Sequence, residues 1–72
     1  MKVPDNVSRS QLIAVIEEWV IGQNAERNRK ILKRRFVDGI KLELLAEEFD
    51  LSWRQVQSII AANETAIFEH LK

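Results

Sequence analysis

The densest concentration of one chemistry in the chain is a block of six cationic side chains within nine residues. They are Arg27, Arg29, Lys30, Lys33, Arg34 and Arg35. Residues 25–41 hold seven basic side chains against Glu26 and Asp38, a net charge of +5, whereas the full chain sums to zero. Such a block can bind phosphate groups even when the whole chain is neutral. The alternative is a solvated helix face, which is the usual role of a charge run.

No pattern in the sequence indicates catalysis or metal binding. The chain has no cysteine, and its one histidine, His70, lies in the predicted last turn, where a cation suits the helix dipole. The carboxylates are scattered, without a His-Glu-x-x-His motif or a glycine-rich phosphate loop. We therefore expect no catalytic residue, no metal ligand and no cofactor, and we predict that the protein is not an enzyme.

Length and composition favour one small helical domain. The chain has 72 residues, 46% of them hydrophobic and 31% charged, with two glycines and one proline. The absence of cysteine fits a reducing cytoplasm, and no apolar run is long enough to span a membrane or to mark a secretory signal. We expect a cytoplasmic protein without a membrane partner, and the start Met and compact end favour a complete small protein.

Hydrophobic spacing predicts an all-α fold of four helices, at residues 8–21, 24–36, 41–49 and 52–71. Ser8 and Gln11 form a capping box at the first start, and Gly22 is expected to end that helix. Asn24 is the predicted N-cap of the second, basic helix.

The break between the third and fourth helices is short and marked by capping signals. Ser52 and Gln55 form a second capping box, and Leu51 and Val56 form the hydrophobic staple around it. Two helices joined by such a turn are typical of a helix-turn-helix. We therefore predict that residues 1–72 form a single DNA-binding domain with a C-terminal helix-turn-helix and a long last helix.

The first turns of the fourth helix would then carry the side chains that enter the major groove. Arginine can pair with guanine and glutamine with adenine through two hydrogen bonds. The predicted base-reading residues are Trp53, Arg54, Gln55, Gln57 and Ser58, and Ala61 and Ala62 also face away from the core. The predicted phosphate-binding residues are Arg27, Lys30, Lys33, Arg34, Lys41 and Ser52. For Trp53 the alternatives are packing on a neighbour and anchoring a protein partner.

Residues 26–60 resemble region four of bacterial sigma factors and its small stand-alone relatives. The resemblance rests on Arg-Lys-Ile-Leu-Lys-Arg-Arg-Phe at 29–36, Gly39, Leu-Ala-Glu-Glu-Phe at 45–49 and Leu-Ser-Trp-Arg-Gln-Val at 51–56. It implies a four-helix fold, phosphate contacts from the basic helix, base reading by the fourth helix, and a bacterial or phage source. It also places Arg35 near the core, paired with Glu47 or Glu48. The chain departs from the family at Asp50, Gln57 and Ser58, where a small residue and cations are usual.

These observations predict a transcriptional regulator that binds specific sequences of double-stranded DNA. The rival hypothesis is a protein-interaction module with the same fold. It would dock on RNA polymerase or another regulator through Trp53 and the acidic half, residues 42–72, whose net charge is −4. A further alternative concerns the first helix, which is apolar on more than one side. Its residues Ile13, Trp19, Val20 and Ile21 indicate either ordinary core packing or the seam of a homodimer.

Overall fold

The computed structural model describes residues 7–71, and the prediction of an all-α fold is confirmed there. Within this range the chain forms four helices and no strand. The helices are α1 (Arg9–Trp19), α2 (Ala25–Phe36), α3 (Leu42–Glu48) and α4 (Trp53–Glu69). Each begins one residue after its predicted start, because the predicted ranges include the N-cap residues. Residues 1–6 and 72, which the predicted domain includes, lie outside the described residues.

The start of α1 is built as the sequence predicts, but its end is not. The Ser8 hydroxyl accepts the Gln11 N–H at 3.1 Å, and the Gln11 side chain accepts the Ser8 N–H at 2.9 Å. The helix ends at Trp19, two residues before the predicted end. Val20 adopts an extended conformation and buries its side chain in the core. Gly22, with a φ of +95°, therefore lies in the following loop and does not end the helix.

Asn24 is the N-cap residue of α2, as predicted, but it does not cap the helix with its side chain. Asn24 occupies the N-cap position of α2, but its φ of 62° is left-handed and its side chain makes no capping hydrogen bond. Asparagine tolerates this conformation better than most residues do. Asn24 thus turns the chain into α2, and Glu26 is the acid in the first turn that matches the helix dipole.

The core joins all four helices. Its buried members are Leu12, Ile16, Val20, Ile31, Leu32, Leu45, Val56, Ile60 and Ile67. Helix α4 packs against each of the other three helices, whereas α3 packs on α2 and α4. The position of α4 therefore depends on the whole core, and α3 holds it from one side.

The turn between α3 and α4 is a Schellman motif that uses an aspartate. Leu51 donates its N–H to the Ala46 carbonyl at 2.9 Å, and Asp50 donates to the Glu47 carbonyl at 3.3 Å. Asp50 has a φ of 55°, in the left-handed region where glycine is most common. Aspartate can adopt this region, so the departure of Asp50 from the family pattern leaves the turn intact.

The apolar surface of α1 is covered largely within the monomer. Val20 is buried, Ile13 is half-buried, and the Trp19 ring stacks on the His70 ring with centroids 3.7 Å apart. Trp19 and Ile21 nevertheless keep 39% and 69% of their surfaces exposed. Ordinary packing thus accounts for most of the apolar excess of the first helix, and the homodimer stays a prediction.

Candidate nucleic-acid interface

The first two turns of α4 present a polar outer face. Every side chain predicted to face away from the core is exposed; these residues are Trp53, Arg54, Gln55, Gln57, Ser58, Ala61 and Ala62. Val56 and Ile60 are buried on the opposite side of the helix. This division follows from the helical repeat of 3.6 residues, which separates the two sets of positions. The outer face combines hydrogen-bonding side chains at its start with small side chains one to two turns later.

The N-terminus of α4 is fixed by a complete capping box. The Ser52 hydroxyl accepts the Gln55 N–H at 3.1 Å, and the Gln55 amide oxygen accepts the Ser52 N–H at 2.9 Å. The Ser52 hydroxyl hydrogen is not used by this box and can still be donated to a phosphate. The Gln55 amide is held back against the cap, so Gln55 supports the helix start rather than projecting outward.

Replacement of Ser52 by alanine is expected to lower the free energy of unfolding by about 1 kcal/mol. The reason is that the Gln55 N–H of the capping box loses the hydroxyl that accepts its hydrogen bond. Urea denaturation followed by circular dichroism measures this loss. Ser52→Thr is the matched control and should retain most of the stability, because it keeps the hydroxyl. Equal losses in the two variants would show that the hydroxyl does not cap α4.

Trp53 lies at the first position of α4 and keeps 44% of its surface exposed. Its ring is not stacked on another aromatic ring of residues 7–71, in contrast to Trp19. On the preceding helix, Leu44 is 52% exposed. The α3–α4 unit therefore carries two large apolar side chains that the fold leaves open to a ligand or a partner.

Arg34, a predicted phosphate ligand, is held by two carboxylates. Its guanidinium donates to both oxygens of Glu48 at 3.1–3.2 Å and to Asp38 at 3.3 Å. The hydrogen bonds with Glu48, and then those with Asp38, raise the pKa of Arg34 above its ordinary value. Arg9 extends the network, because it lies 3.6 Å from Asp38. The cluster links α1, α2 and α3. Within it, the positive charge of Arg34 is already paired with carboxylates of the protein itself.

Two other predicted phosphate ligands also have acidic neighbours. Lys33 forms an ion pair with Glu17 of α1, with both side chains partly exposed. Lys30 lies 4.0 Å from Glu26 one turn earlier, and both side chains are largely exposed. An exposed pair of this kind is worth about 0–1 kcal/mol. Lys30 can therefore exchange this neighbour for a phosphate at little cost, whereas Lys33 has the closer partner.

The expected pairing of Arg35 with Glu47 or Glu48 is wrong. Arg35 donates to the backbone carbonyl of Ile40 at 3.0 Å, and its neighbour Arg34 takes Glu48. Arg35 thus anchors the loop that leads into α3. Arg29 is also turned partly inward, because its Nε atom is buried and has no hydrogen-bond partner among the described residues.

Arg27, Lys30 and Lys41 are the predicted cations best placed to contact phosphate. Arg27 makes hydrogen bonds of 3.2–3.3 Å only to the neutral Asn28 side chain, and Lys41 is exposed at the start of α3. Arg27 and Lys30 line an open groove together with Phe49, the residue that follows α3. These two cations therefore border the turn that leads into α4.

Residues 7–71 do not bring together the side chains of a metal site. No group of three or more His, Asp or Glu side chains in that range could hold a metal ion. His70 stacks on Trp19 and lies 2.7 Å from the Ala66 carbonyl, so its ring is engaged in packing at the end of α4. No helix of the described range is long and apolar enough to cross a membrane.

Comparison with known proteins found no relative of the chain. No protein-family model, curated protein or solved structure matches the chain. The interpretation of the site therefore rests on its own residues.

Proposed function

We propose that the protein is a transcriptional regulator that binds specific sequences of double-stranded DNA, with a domain like region four of bacterial sigma factors. One observation carries the proposal. Helix α4 begins with a rigid cap, and its first two turns expose Arg54, Gln57 and Ser58, whose side chains make no hydrogen bond or ion pair within residues 7–71. In a helix-turn-helix, this is the segment that enters the major groove. A bacterial or phage source and a cytoplasmic location accompany this proposal.

The proposed binding mode assigns a separate task to each part of the surface. Arg27 and Lys30 contact phosphates beside the turn, Lys41 contacts a phosphate at the start of α3, and the Ser52 hydroxyl and the N-terminus of α4 contact one more. The outer face of α4 contacts base edges. Lys33 and Arg34 are assigned to the fold rather than to DNA, because their carboxylate partners already satisfy them.

The test is a titration of the protein into random-sequence duplex DNA at several salt concentrations. Each phosphate contact contributes about −0.9 to the slope of log K against log salt. Three cations thus predict a slope of roughly −3, and all five predicted cations would give roughly −4.5. Absence of binding even at low salt would overturn the proposed function.

A second candidate function is a protein-interaction module that docks on RNA polymerase or another regulator. It is favoured by the open Leu44 and Trp53 side chains, and by the acids Glu43 and Glu47 on the same helix as Leu44. Aromatic anchors of this kind are enriched where protein interfaces gain most affinity. Binding to purified polymerase that is lost in Trp53→Ala, together with absence of DNA binding, would favour this function over the first.

A further inference from the structure

The exposed side chains of α4 that can contact bases form a stripe. At 100° per residue, Arg54, Gln57, Ser58 and Ala61 lie within an arc of about 100° on the exposed side of the helix, and the Ser58 hydroxyl discriminates least because it can pair with donors or acceptors. The helix rises about 1.5 Å per residue, so the stripe is about 10 Å long. Successive base pairs are spaced by about 3.4 Å along the duplex, and the stripe therefore covers about three of them.

Gln55 does not belong to this stripe. It lies about 100° around the helix from Arg54. Its amide oxygen is occupied by the Ser52 N–H at 2.9 Å. Bidentate recognition of adenine needs both the amide oxygen and the amide nitrogen of a glutamine. An amide oxygen can accept a second hydrogen bond, but the bond from Ser52 holds the Gln55 side chain back toward the cap, so Gln55 must release the cap to present both amide atoms to a base.

Arg54 and Gln57 differ from Gln55, because the cap does not use their side chains. Both side chains are exposed, and neither makes an ion pair or a side-chain hydrogen bond with another described residue. Arg54 is also the one cation among residues 42–71. Its guanidinium matches the two acceptors on the major-groove edge of guanine, and the Gln57 amide matches the donor and acceptor of adenine.

We infer that Arg54 and Gln57 are the residues that determine sequence specificity, with Gln55 as a helix cap only. The bound site then holds a guanine read by Arg54 and an adenine read by Gln57. The two residues are separated by about 4.5 Å along the helix axis, so the two bases lie one or two base pairs apart. This inference rests on the proposed function and names the DNA sequence features that the same face recognises.

The experiment is selection of bound duplexes from a random-sequence pool, followed by measurement of Kd for the selected duplex and its single-base changes. We expect a motif with a guanine and an adenine in this spacing. Replacement of the guanine should weaken binding of the unaltered protein roughly 10- to 100-fold. Arg54→Ala should remove that preference, and Gln57→Ala should remove the preference for adenine alone.

Two controls separate base reading from other effects. Gln55→Glu keeps a capping box. It should leave unchanged the ratio of Kd values between the selected duplex and the duplex in which the guanine is replaced. Arg27→Ala should weaken binding to the selected duplex and to the guanine-replaced duplex by the same factor. A guanine preference that survives Arg54→Ala, or that is lost in Gln55→Glu, would overturn the inference while leaving DNA binding intact. Failure of the unaltered protein to bind any duplex would overturn the proposed function itself.

Discussion

Replacement of Leu45 by alanine is expected to remove a large share of the free energy of unfolding of the protein. Leu45 is the buried residue of α3, with no exposed surface, and it belongs to the cluster that contains Val56 and Ile60 of α4. Loss of such a side chain costs about 2–5 kcal/mol, from lost burial and the cavity that remains. A domain of this length has a total stability of about 4–11 kcal/mol.

The neighbouring residue supplies the matched control. Leu44→Ala removes the same atoms from a side chain that is 52% exposed, and it should change the free energy of unfolding by less than about 0.5 kcal/mol. Urea denaturation followed by circular dichroism measures both variants. A similar loss in the two would mean that α3 does not pack on α4 through Leu45.

Combined replacement of Arg27, Lys30 and Lys41 by glutamine is expected to nearly abolish binding to random-sequence duplex DNA. Each cation that neutralises a phosphate contributes about a tenfold gain in affinity at about 50 mM salt, through release of counterions. The triple variant should therefore bind on the order of 10³-fold more weakly, and its salt slope should approach zero. Fluorescence anisotropy of a labelled duplex measures both quantities.

Within α2 a pair of single variants tests the assignment of roles. Lys30→Gln should weaken binding about tenfold, because the contact between Lys30 and Glu26 is long and exposed. Lys33→Gln should have a much smaller effect, because Lys33 is already paired with Glu17. In the same assay Glu48→Gln should strengthen binding, since it releases Arg34. A larger loss for Lys33→Gln than for Lys30→Gln would refute this division.

Local features of the fold could be predicted from the sequence because they depend on residues close together in the chain. The two capping boxes each involve residues three apart, and both form with the expected partners. The end of α1 depends instead on burial of Val20 by other helices, and the hydrophobic spacing of α1 contains no sign of it. The left-handed backbone of Asn24 could not be predicted, because asparagine suits both a side-chain N-cap and a left-handed turn.

The candidate site was only partly predictable for the same reason. Periodicity identifies the outer face of α4, because it is the complement of the core face. The partners of the cations were not predictable, since Arg34 and Glu48 are fourteen residues apart and meet only when α2 packs on α3. The sequence itself indicates the conflict at Gln55, because the same residue is predicted both to cap α4 and to read a base.

The stacking of Trp19 on His70 gives the protein two indoles with different optical environments. The first stacks on an imidazole at the far end of α4 and is 39% exposed, and the second, Trp53, is unstacked within residues 7–71 and 44% exposed at the beginning of that helix. The two ends of α4 are separated by about 25 Å. Emission from Trp19 should therefore report the integrity of the fold, and emission from Trp53 the arrival of a ligand, so the molecule carries two independent intrinsic reporters.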